Sequence, residues 1–158
     1  MDNPFLDRSF QIAWSQLTPE RVGPAIEAAL ADAEAALARI AALPVESVNY
    51  QNTFLALEEA TDLLNESWAK VTHLTTVADA APLRDAHNAM LPKVSAFLAK
   101  IPLDAGIWLR LKAAAALPSV AALQGEHLTT EPRSVQGIPA HVGALASAGA
   151  ARRSNSDQ

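Results

Sequence analysis

Four histidines, at positions 73, 87, 127 and 141, are the side chains through which this chain could most readily do metal or acid–base chemistry. A zinc hydrolase needs H-E-x-x-H on a helix, which sets two imidazoles one turn apart beside a glutamate that activates the bound water. That pattern is absent, since Glu126-His127 lacks both the first histidine and the spacing. A di-metal bundle site needs Glu-x-x-His, because positions i and i+3 share a helix face. Lys70 stands three before His73 and Arg84 three before His87, so neither qualifies. No Gly-x-Ser-x-Gly elbow presents a serine, and no Gly-rich loop cradles a phosphate. The absence of cysteine removes disulfides, thiolate ligands and thiol nucleophiles together. No catalytic, cofactor-binding or metal-ligating residue is assigned, and the histidines are expected in structural or surface roles.

Two further groupings carry a functional and a structural reading. Glu58, Glu59, Asp62 and Glu66 could hold a cation or do acid–base work, but their spacing opposite an apolar stripe fits a solvated helix face better. Trp14, Trp68 and Trp108 could form an aromatic pocket, yet each sits among helix-spaced aliphatics, which favours core packing.

The elements that would position these residues are helices. Thr18-Pro19-Glu20 supplies a capping hydroxyl, a first-turn proline and an acid suited to the helix dipole. Val22, Ile26, Leu30, Ala33, Leu37 and Ile40 then form a stripe, Pro24 falls early in it, and Pro44 ends it. A second helix, capped by Asn52 or Thr53, carries Phe54, Leu57, Leu64, Trp68, Val71 and Leu74, with Glu58, Asp62, Glu66 and Lys70 on another face. From Pro82 a third buries Leu83, Met90, Val94, Phe97 and Leu98 and is kinked by Pro92. Asp104 caps a fourth, with Ile107, Trp108, Leu111 and Ala115 inward and Pro118 as its stop.

The expected fold is all-α, an antiparallel bundle of about four helices with an irregular C-terminal tail. The parts are an extended segment over 1–17, the bundle over 18–118, and a tail over 119–158. Gly125, Pro132, Gly137, Pro139 and Gly143 interrupt every apolar period in that tail. At 158 residues one domain is the working assumption; alanine supplies much of the apolar half of the chain, so close helix contacts are expected. The net charge of −5 gives no footprint for nucleic acid. No apolar run approaches the roughly 18 residues of a membrane span, and no secretory signal opens the chain, so a cytoplasmic location is expected.

The ordered part resembles the N-terminal helical region of the M3 family of zinc oligopeptidases. Asn3-Pro4-Phe5-Leu6 is similar to that family's opening, and Leu17-Thr18-Pro19-Glu20-Arg21-Val22-Gly23-Pro24-Ala25-Ile26 to its first helix entry. Tyr50-Gln51-Asn52-Thr53-Phe54 with Leu57-Glu58, running through Trp68 to Val71-Thr72-His73-Leu74, resembles the second. Leu83-Arg84-Asp85-Ala86-His87 and Leu91-Pro92-Lys93-Val94-Ser95 resemble the third.

The resemblance implies a helical subdomain in one wall of a deep substrate channel, inactive alone. It also implies zinc, H-E-x-x-H and the other catalytic groups in a later domain, so no catalytic residue carries over and no cofactor is held by this chain. A gene fragment whose frame was lost near Gln124, and a split or incomplete gene, both fit the departure of the tail from the family. The implied partner is a missing or separately encoded catalytic domain, with peptide bound only in a complete enzyme. Self-association through uncovered apolar surface is a further expectation, and a free-standing helical interaction module is the alternative function.

Overall fold

In the computed structural model, which describes residues 3–122, Thr18 takes extended backbone angles (φ −100°, ψ 153°) and Pro19 opens α1 (Pro19–Ala41). The Thr18 hydroxyl makes no bond to the helix backbone. It turns to the Glu20 carboxylate, whose pKa is held below its ordinary value by the residue's own backbone N–H and then by that hydroxyl. Pro24 lies inside α1, and the N–H it lacks would have bonded only the first-turn carbonyl of Glu20, so the helix runs on through it. The buried stripe is Val22, Ala25, Ile26, Ala29, Ala33, Leu37 and Ile40. Its small alanines let α1 touch four other helices.

The second helical run begins three or four residues earlier than a cap at Asn52 or Thr53 would place it. Asn49 and Asn52 exchange bonds: the Asn52 N–H donates to Asn49 Oδ1 (2.9 Å) and the Asn49 N–H to Asn52 Oδ1 (2.8 Å). That reciprocal arrangement is a capping box with Asn49 as the cap. One wide turn comes next, over Gln51–Leu55, in which the Leu55 N–H reaches back five residues to the Tyr50 carbonyl (3.1 Å). What reads as one helix is then split at Thr61, between α2 (Ala56–Ala60) and α3 (Asp62–Val77). Thr61 restarts the run by accepting from the Asn65 N–H (2.9 Å).

α4 (Ala81–Lys100) starts with Pro82 in its first turn and carries Pro92 within it. Asp104 caps α5 (Ala105–Ala115) as expected, accepting from the Ile107 N–H at 3.0 Å. Two expected inward residues are not inward: Leu98 is 39% exposed and Trp108 is 42% exposed. Adjacent helical residues point about 100° apart, so Phe97 and Ile107 take the inward positions at their neighbours' expense. Ala114, not Ala115, completes the α5 stripe.

Side-chain pairings fix the helix directions. Lys93 meets Glu27, and Phe97 and Lys100 share a groove with Glu34 and Leu37, so α4 runs alongside α1 in the same sense. The α2–α3 run points the other way, since Asn52 begins it in the groove at α1's far half while Ser67 and Lys70 reach the segment tied to Arg21. α5 crosses the end of α1, close enough that a Cβ on Gly106 would lie 3.1 Å from that of Ala41. Arg110 fastens the crossing through a bond from Nε to the Leu43 carbonyl (2.9 Å).

Ser119 and the residues after it were expected in the irregular tail, but Pro118–Ala121 form a further turn, α6, and Val120 is buried in the core. The rest of the expected tail lies outside the described residues. No described helix is long and apolar enough to cross a membrane.

Candidate functional site

The densest set of polar contacts lies where the N-terminal segment crosses α3. Asn3 builds its own turn: its Oδ1 accepts from the Phe5 N–H (3.1 Å) and its carbonyl from the Leu6 N–H (2.9 Å). Its Nδ2 donates to the Arg21 carbonyl (3.0 Å), pinning the turn to the start of α1. Pro4 fixes the backbone between them, and Phe5 drops into the core with no exposed surface. The Phe5 carbonyl then accepts from both Ser67 Oγ and Lys70 Nζ, each at 3.0 Å. Lys70 also donates to the Asp7 carbonyl. The Asn-Pro-Phe-Leu opening is thus a strap, and Ser67 and Lys70 are its anchors.

This strap reassigns the acidic run. Arg8 makes a two-point contact with Glu66, Nη2 to Oε1 at 2.8 Å and Nε to Oε2 at 3.0 Å, and Asp62 lies 3.6 Å away. The Glu66 contact pushes the Arg8 guanidinium pKa further up. Asp62 and Glu66 are therefore engaged by the chain's own cation, while Glu58 and Glu59 stay exposed on α2. Lys70, expected on the solvated face with them, is only 8% exposed because the strap covers it.

Beyond Arg8 the strap borders an open groove of about 450 Å³, lined in part by Phe10, Ile12, Trp14, Ala69 and His73. The Asp7 carboxylate accepts from the Ser9 N–H (2.8 Å) and hydroxyl (2.9 Å). Those two bonds, then the Lys70 charge, hold the Asp7 carboxyl below its ordinary value. The turn they build leaves Phe10 fully exposed.

His73 packs against Trp14 (ring centroids 5.0 Å apart, tilted by 49°), and His87 stacks on Trp68 (4.8 Å, 16°). Trp68 is half-buried against the core, whereas Trp14 and Trp108, both expected in the core, are each 42% exposed. Trp14 lines the strap groove, and Trp108 sits apart on α5. His127 and His141 lie outside the described residues. No group of three or more histidines or carboxylates able to hold a metal occurs among the described residues.

An all-helical packing domain, braced around a central helix and closed by an N-terminal strap, is the class these features define. The chain belongs to the neurolysin/thimet oligopeptidase N-terminal domain family of the M3 oligopeptidases, whose family model matches residues 26–127. It is similar to Oligopeptidase A of Haemophilus influenzae, 32% identical over 97 residues, which cover 61% of this chain and 14% of that protein. Oligopeptidase A of Salmonella typhimurium and of Escherichia coli K12 are 33% and 31% identical over the same length and the same shares. The chain thus matches about a seventh of the length of these relatives. No solved structure matches it significantly.

Proposed function

We propose that this chain is the N-terminal helical part of an M3-type zinc oligopeptidase, forming part of a substrate-channel wall and contributing no catalytic group of its own. The family match over residues 26–127 carries the reading. The sequence adds to it, for H-E-x-x-H occurs nowhere in the 158 residues, and the helical histidines of the described part are engaged with tryptophans. In this reading zinc, the glutamate that activates water and the groups that stabilise the transition state come from another domain. Peptide is contacted only when that domain is joined to this one, and a cytoplasmic location goes with it. Purified chain, supplied with zinc and a quenched fluorescent peptide, is expected to show no chelator-sensitive hydrolysis. Such hydrolysis, surviving repurification, would overturn the reading.

A free-standing interaction module is the second reading, favoured by the exposure of Phe10, Leu103 and Trp108. A downstream reading frame encoding H-E-x-x-H argues for the peptidase part. A discrete, stable oligomer in light scattering without such a frame argues for the module.

A further inference from the structure

Phe10 is fully exposed at the tip of the strap, although hydrogen bonds fix the backbone on either side of it. The Ser9 N–H donates to the Asp7 carboxylate, and the Ser9 hydroxyl proton is shared between that carboxylate (2.9 Å) and the Gln11 carbonyl (3.0 Å). A ring on a loose loop could fold back onto its own chain, whereas this one is set in place where no described residue covers it. Beside it opens the strap groove of about 450 Å³, with Ile12, Trp14, Ala69 and His73 on its wall. Trp14 is 42% exposed there and packs on His73, so the groove offers ring partners to an entering phenyl group. Asn3, Phe5, Ser67 and Lys70 hold the strap against α3, so the groove is formed before anything enters it. One patch therefore carries both an uncovered aromatic knob and an open aromatic groove.

We propose that this patch pairs with the same patch on a second copy of the chain, each Phe10 ring entering the strap groove of the other copy about a two-fold axis. Two features select a second copy. A two-fold interface is one surface meeting itself, so it needs a projection and a recess on the same patch. Phe10 and the groove meet that requirement, since Phe10 stands at the groove's own edge. The charges around the groove are self-complementary as well. The Arg8 side chain remains 54% exposed beyond its contact with Glu66, and Asp7 and Glu66 are exposed beside it. Apposed copies can therefore set Arg8 of one against a carboxylate of the other, where a rim of a single sign would repel its own copy. The pairing goes beyond the oligopeptidase reading and does not depend on it, because it uses only groups within this domain.

Sedimentation equilibrium of the full chain over a range of concentrations tests the pairing. A monomer–dimer equilibrium is expected, weakened about tenfold or more by Phe10→Ser, which removes the ring, and by Ala69→Glu, which puts a charge in the groove. Trp108→Glu, on α5, is expected to leave it unchanged. Phe10 and Ala69 are both exposed, so the thermal midpoint of each variant is expected to match that of the wild-type monomer, which separates a lost contact from a lost fold. Phe10→Ser mixed with Ala69→Glu is expected to associate more tightly than either variant alone. The mixed dimer keeps one intact contact, the ring of the Ala69→Glu chain in the groove of the Phe10→Ser chain. A chain that stays monomeric up to its solubility limit overturns the proposal. So does a dimer that Phe10→Ser leaves intact, one that Trp108→Glu dissociates instead, or a mixture that shows no rescue. None of these outcomes touches peptide hydrolysis, so the oligopeptidase reading stands or falls separately.

Discussion

The strap across α3 and the outer side of α5 are two answers to the same problem, a helix with more than one side to cover. On α3 the second side is covered by the chain itself. Phe5 fills the apolar gap, and Ser67 and Lys70 satisfy the carbonyl that crosses above it. On α5 nothing described covers Trp108 and Leu109. The covered helix tolerates a lysine in a buried position because backbone oxygens come to meet it. The uncovered one carries two cations, of which Arg110 is folded back onto the Leu43 and Gly106 carbonyls. At these two places polarity in the sequence misleads about exposure: the lysine is inside and the tryptophan is 42% exposed.

The contrast can be broken most forcefully at Phe5. Replacing this fully buried ring by alanine removes the strap's apolar anchor and is expected to cost about 3–5 kcal/mol in urea unfolding. A loss below about 1 kcal/mol would mean that the strap is not part of the cooperative core. Next is Lys70→Met, which keeps the apolar stem, one atom shorter, but removes the donor to two carbonyls. A loss of about 1–3 kcal/mol is expected, and a stabilised variant would show that the apolar stem alone holds the strap.

Smaller still is the acid response. Asp7 and Glu20 have lowered pKa values in the folded protein, so their ionised forms stabilise the fold above the ordinary carboxylate range. That contribution is lost as pH falls through the lowered folded values. Asp7→Asn should flatten the acid limb of a stability-versus-pH curve, and an unchanged limb would contradict the strap turn. The smallest effect belongs to α5, where Trp108→Glu is expected to shift the stability of the isolated chain by no more than about 0.5 kcal/mol. A larger loss by the same urea measurement would place Trp108 in the core after all.

The helical frame was legible because its determinants are local. Pro19, Pro82 and Asp104 mark helix starts within a few residues, and the α1 stripe needs only a period of about 3.6. The split at Thr61 was hidden, since Asp62 and Leu64 continue the apparent pattern, and only the wide turn at Gln51–Leu55 and the cap at Asn49 reset its phase. The site was less legible than the fold. Glu66 and Lys70 have the spacing of a solvated face, and what alters their environment lies some sixty residues away in the strap. Their one visible sign was Asn3-Pro4-Phe5-Leu6, a turn-forming pair followed by two apolar residues. Trp108 misled for the opposite reason, because apolar character predicts burial only if a covering surface exists.

The distance spanned by the strap has a consequence for biosynthesis. Phe5 leaves the ribosome well before Ser67 and Lys70, which lie 62 and 65 positions later. At ordinary elongation rates the anchors emerge after ~3–13 s, and until then the Phe5 ring has no pocket and its carbonyl no donor. The nascent chain therefore passes through an interval in which the strap is an apolar, unpaired segment of the kind that holdase chaperones bind. That interval closes only when α3 has emerged.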